Sequence, residues 1–135
     1  MDDEELETLI QKSKRSRAFS LSDMNLDHLN SKALLEMFFL KDLDLSRNHF
    51  SSIPDVVCSL VSLEQLSFFR NEICMVSEQI RDLNGLIVLN LSSNNLESFD
   101  EVLLSLSRLE VLDLSNNQLR EVPVRIGLIL VVCWC

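Results

Sequence analysis

The sequence holds serines, two histidines, four cysteines and 21 acidic side chains, the raw material of hydrolytic, carboxylate or metal chemistry. Their spacing does not assemble any of the three. A serine or cysteine nucleophile needs a base beside it. There is no G-x-S-x-G, no glycine-rich phosphate loop and no H-E-x-x-H. Cys58, Cys74, Cys133 and Cys135 include no C-x-x-C pair, and His28 and His49 lie far from any pair of cysteines, so no metal site and no cofactor are expected. The group that stands out is of another kind. In "SLEQLSFFRNEI", residues 62–73, two phenylalanines adjoin in a run that reads as a short strand. Neighbouring strand side chains point to opposite faces. Burying Phe68 therefore leaves Phe69 on the surface, with Arg70 beside it. An exposed aromatic next to an arginine is the chemistry of protein recognition.

Composition narrows the classes. A chain of 135 residues is one domain's worth, 47% hydrophobic but only 6% aromatic, so its core is mainly aliphatic. A net charge of −9 argues against nucleic-acid binding, which needs cations for the phosphates. The one basic cluster, "KSKRSR" at 12–17, follows the acidic "MDDEELE". Acids then bases along one helix suit its dipole, a reading preferred over a phosphate or lipid-headgroup contact. An acidic N-terminus is no secretory signal. The longest apolar run, "GLILVVCWC", is about half of the ~20 residues that a membrane span needs. Reduced thiols and a cytoplasmic location are the expectation.

What must position Phe69 is a repeat. "LKDLDLSRNHF" starts at Leu40, "LEQLSFFRNEI" at Leu63, "LIVLNLSSNNL" at Leu86 and "LEVLDLSNNQL" at Leu109, a period of 23. All fit L-x-x-L-x-L-x-x-N-x-L, the leucine-rich repeat pattern, with Phe50, Phe68 and Ile73 as apolar substitutes for leucine. A weaker copy, "FSLSDMNLDHL" at 19–29, has Met24 in the asparagine's place. The expected fold is a leucine-rich repeat solenoid of α/β class. Short parallel strands line its concave face, short helical or 3₁₀ turns its convex face. The convex turns are marked by Ile53, Val57 and Leu60, by Val76, Ile80 and Leu83, and by Phe99, Leu103 and Leu106. Pro54 and Pro123 follow the first mark in their units; Ser77 and Asp100 stand in that place in the middle two. Residues 1–18 read as a capping helix, centred on 4–15 with Leu6, Leu9 and Ile10 on one face. Residues 19–129 are about five repeats, with Ser31 as a helix N-cap in the first. Residues 130–135 read as a truncated strand or tail without a C-terminal cap. Continuing the period puts Val132 at the first leucine position and Cys135 at the second. The strand there would be unpaired, an edge open to self-association.

Stacking turns each x position into a column. Asp44, Ser67, Asn90 and Asp113 form one; Ser46, Phe69, Ser92 and Ser115 the next; Arg47, Arg70, Ser93 and Asn116 the third; Asp42, Gln65, Val88 and Val111 a fourth. Asp44 and Asp113 lie three strands apart, ~14 Å at the strand spacing, too far for a carboxylate pair. No enzyme activity is expected. Phe69, Arg70 and Arg47, with Val88 and Ile87 as further exposed apolar area, are the expected partner-binding residues. Asn48, Asn71, Asn94 and Asn117 are expected to be structural, bonding turn backbone groups that stacking removes from water.

The opening "ELETLIQKSKR", then "SLSDMNL", then "SLEQLSFFRNEI" resemble the Ras suppressor family of leucine-rich repeat proteins. The resemblance covers about residues 4–120, and Phe68 and Phe69 match that family's phenylalanine pair. It implies a non-catalytic adaptor in Ras and integrin-adhesion signalling at cell–matrix adhesions, with a LIM-domain protein, PINCH, as partner. Family members are longer, with further repeats and a C-terminal cap. A regulatory subunit of a protein phosphatase is the alternative, slightly disfavoured by the 23-residue period. A marginal fragment without independent function is a further one.

Overall fold

The computed structural model describes residues 2–29, 31–123, 126 and 131–133. Helix α1 (Asp3–Ser16) opens with a capping box. The Glu5 N–H donates to the Asp2 carboxylate at 2.8 Å, and the Asp2 N–H donates to the Glu5 carboxylate at 3.3 Å. Acids fill its first turn; Lys14 and Arg15 lie in its last. The basic run thus sits where the helix dipole favours it. Ile10 is buried, and Leu6 and Leu9 pack against the core, so α1 covers the start of the stack.

Six short strands follow, β1 (Ala18–Ser20), β2 (Asp42–Asp44), β3 (Gln65–Ser67), β4 (Val88–Asn90), β5 (Val111–Asp113) and β6 (Val131–Cys133). They form one parallel sheet in sequence order. Each strand is three residues long because only x-L-x of the repeat is extended. Its central leucine points inward: Leu43, Leu66, Leu89 and Leu112 are buried and lie in register across the ladder. The convex side is a single α-turn in one unit, α3 (Asp55–Cys58), and a 3₁₀ turn in the next two, Glu78–Asp82 and Glu101–Ser105. Pro54 precedes α3 with extended backbone. Ser77, in the proline's place one unit on, caps its turn by accepting the Gln79 N–H. Asp100, one unit further, instead accepts the Val76 N–H of the preceding coil at 2.7 Å. Another short helix, α2 (Ser31–Leu35), serves the first unit. Ser31 is its first helical residue, not the residue before it, which corrects the N-cap expected there.

The sixth strand corrects the phase. Val131, Val132 and Cys133 pair with Val111, Leu112 and Asp113. Val132 therefore stands opposite the second leucine of the pattern, not at the first, and the strand is paired along its β5 side. The last step of the ladder takes 20 residues where the others within the four full copies take 23. Cys135 lies outside the described residues.

Bonds between coils run through the asparagines. The Asn94 amide donates to the carbonyls of Phe68 (2.9 Å), Leu91 (3.0 Å) and Ser92 (3.2 Å), while its oxygen accepts the Ile73 N–H at 2.9 Å. Asn71 and Asn117 repeat this bridge to the preceding coil, Asn71 through Leu45 and Phe50, Asn117 through Leu91 and Leu96. Asn48 does it for the first coil, accepting from the Met24 and Leu26 N–H groups. Replacing Asn94 strands the buried Ile73 N–H, at about 1–3 kcal/mol for a group so left, and takes one of two donors from each of the carbonyls of Phe68, Leu91 and Ser92, which keep Asn71, Asn117 and the Arg70 N–H. Asn94→Ala is expected to cost about 3 kcal/mol or more in urea unfolding. Asn95→Ala, at an exposed neighbour, should stay within about 0.5 kcal/mol. Equal effects at the two positions would show that the ladder does not hold the coils together.

Candidate protein-binding face

The residue before each ladder asparagine takes the left-handed backbone conformation. Arg47, Arg70, Ser93 and Asn116 have φ of 57°, 55°, 57° and 56°, and Asp23 matches them in the first coil at 57°. This turn lifts the chain off the strand and drops the next side chain, the asparagine, into the stack. The pattern was not read from the sequence. Its signal is the presence of Asn and Asp, which tolerate this region, in the same column as two arginines.

Two residues earlier, a local motif recurs that the column reading also missed. The Asp44 carboxylate accepts both the N–H and the hydroxyl of Ser46, at 2.9 and 2.5 Å. Asn90 does the same for Ser92, and Asp113 for Ser115. Such side-chain-to-backbone bonds fix the exit from the strand. They also fold the serines inward: Ser46 and Ser92 are buried, not solvent-facing as the column reading expects.

The third coil breaks the motif. D-L-S, N-L-S and D-L-S become S-F-F at Ser67, Phe68 and Phe69. Only the Phe69 N–H to Ser67 hydroxyl bond remains there, at 3.3 Å. Phe68 is fully buried, edge-on to Phe50 with ring centres 5.8 Å apart. Phe69 is half-buried, a correction to the bare surface ring that strand alternation implies. The guanidinium carbon of Arg70 lies 5.2 Å from its ring centre, a cation–π contact that covers part of the ring.

The structure brings three of the five expected contact residues together. The Arg47 N–H donates to the Phe69 carbonyl at 2.7 Å, so Arg47, Phe69 and Arg70 share one corner of the face. Val88 and Ile87 are half-buried at the other end of the strands. Val88 is in register with Gln65, four residues before Phe69, on the order of 13 Å along an extended chain. The partner of Val88 across the ladder is Val111, also half-buried. Opposite them at the N-terminal end, Asp42 occupies the same column, with Asp44 two residues along on the same face. Among the described residues, no group of three His, Cys, Asp or Glu side chains is placed to hold a metal ion, and no helix is long and apolar enough to cross a membrane.

This arrangement of stacked x-L-x strands and asparagine ladders is shared with known proteins. Leucine-rich repeat family models match residues 39–60 and 77–119. The chain has the leucine-rich repeat fold. Among solved structures it is similar to the leucine-rich repeat domain of APL1B, at 20% identity and a TM-score of 0.78, over 98% of this chain and 42% of that one. It is also similar to a leucine-rich repeat protein of Leptospira interrogans, at 23% identity and a TM-score of 0.75, over 94% and 38%. The leucine-rich repeat ectodomain of the receptor kinase SOBIR1 from Arabidopsis thaliana gives 25% and 0.69, over 86% and 67%. The chain thus spans less than half the length of the first two. No curated protein matches it. Proteins of this repeat class are typically non-catalytic modules that mediate protein–protein interaction.

Asp42 gives the face a pH signature. Burial, then the charge of Asp44, raises its carboxyl above the ordinary value. A carboxyl raised by folding is held more readily when protonated, so stability falls as pH rises through that value. Asp42→Asn is expected to raise the urea midpoint at pH 7. The gain should vanish near pH 3, where Asp42 is neutral in folded and unfolded chains alike. A gain that persists at low pH would locate its cause outside the charge.

Proposed function

We propose that this chain is a non-catalytic protein-binding module whose partner docks on the concave face at the Phe69 corner. The observation that carries the reading is the exchange of D-x-S or N-x-S for S-x-F in one coil out of four. Three coils keep a hydrogen-bonded serine at that place. One gives up the serine's bond for a half-buried phenylalanine with an arginine stacked on it. Architecture does not ask for that change, because the ladder passes through the coil unaltered. Anchors of aromatic and arginine type within a polar surround are what interfaces favour.

The finer reading is a cytoplasmic adaptor in Ras and integrin-adhesion signalling. It rests on the opening segment and the Phe68–Phe69 pair, and its partner is a LIM-domain protein of the PINCH type. Calorimetric titration of the chain with PINCH LIM domains tests it. Saturable binding is expected, weakened about tenfold or more by Phe69→Ser. Serine is the residue that Ser46, Ser92 and Ser115 show in that column, so the unfolding midpoint should move little. No heat from folded protein would remove the adhesion assignment. Binding that ignores Phe69→Ser would remove the corner as the docking site.

A further inference from the structure

Arg47 and Arg70 hold the same place in successive coils. Both are exposed, and their backbones match at φ of 57° and 55°. Matching backbones send the two Cα–Cβ bonds in one direction, and neighbouring coils lie about 4.8 Å apart. The two side chains therefore leave the backbone side by side. Four ion pairs form among the described residues, and neither arginine takes part in any of them. The chain has 21 acidic residues for 12 lysines and arginines, so a shortage of carboxylates does not explain this. Of the nearby acids, Asp44 holds Ser46, and Glu72 lies 3.6 Å from His49. Asp23, next in the column, makes no ion pair.

We propose that Arg47 and Arg70 clamp a carboxylate on the partner segment, with Phe69 packing against an apolar side chain beside it. The proposal rests on the concave-face reading and names the chemistry of its partner. Paired planar guanidinium groups fit a carboxylate through parallel N–H donors. A singly charged anion suits the corner better than a phosphate dianion, because Asp23 and Asp44 flank it and the whole chain carries −9. The stacked Arg70 joins the two halves of the site, since its guanidinium already spans the Phe69 ring. An acidic residue adjoining an aromatic or large aliphatic one is the sequence this corner recognises.

Selection from a random-peptide phage library on the full chain tests this, with Arg47→Asn/Arg70→Asn in parallel. Asparagine keeps the turn, since Asn116 holds the same position at φ 56°. The wild-type chain is expected to enrich peptides with Asp or Glu within a residue or two of an apolar side chain. A synthetic copy of the leading peptide should lose about tenfold or more in affinity on the double variant. It should also weaken as salt rises from about 0.05 to about 0.5 M. Neutral or basic peptides that depend on Phe69 but not on the arginines would overturn the clamp and leave the face. A phosphotyrosine version that binds about tenfold better than the acidic peptide would overturn the carboxylate assignment. No enrichment, or enrichment indifferent to Phe69→Ser and to both arginines, would overturn the clamp and the face together.

Discussion

A stack of identical coils buries the same carbonyl groups in every layer, and each must find a donor that is not water. In each of the four full copies one asparagine supplies it. The Asn94 amide reaches the Phe68 carbonyl of the coil before while bonding two carbonyls of its own coil. That reach works only when successive asparagines stay in phase, and phase is what the 23-residue period delivers. The left-handed residue before each asparagine is the local condition for it. Strand register, inward leucines and the column structure of the concave face all follow from this one alignment.

Because the layers repeat, departures from the repeat carry information. The asparagine column has no departure across the four full copies, which is the behaviour of an architectural residue. The column two places earlier has one, and it is a phenylalanine. A second substitution accompanies it, since Ser67 stands where Asp44, Asn90 and Asp113 accept from their serines. A bonded serine exchanged for a half-buried ring, at the rim of an exposed face, is the physical basis for placing recognition there. Arg70 belongs to the same departure, because its guanidinium lies over the new ring.

Position along the stack matters as much as position within a unit. Leu35 and Cys58 are equivalent residues one unit apart, yet Leu35 is 56% exposed and Cys58 is 2% exposed. Interior coils are covered on both sides, whereas the first coil has α1 over only part of its edge. Burial without a charge partner pushes the Cys58 thiol up to about 11, with Asp55 and Asp82 adding to the shift. The same residue type at Cys74, on an exposed turn, is a free surface thiol. The unit is thus chemically the same object only where its neighbours are.

The sequence by itself determined the period, and with it the fold, the inward leucines and the direction of the sheet. It did so because a leucine, an asparagine and their spacing are set by local geometry that every layer shares. It also singled out Phe69, since adjacent phenylalanines cannot both face a core from a strand. Tertiary structure decided the rest. Whether Phe69 is bare or half-covered depends on Arg70, whose long side chain has no position until the left-handed turn aims it. Whether five candidate contacts form one patch depends on register: Arg47 joins Phe69 through a backbone bond between coils, while Val88 lines up with Gln65. The last strand's three-residue advance escaped the period because pairing with β5 is satisfied by any phase that sets Val132 opposite Leu112. Spacing along a chain fixes what repeats; contacts between layers fix what each repeat presents.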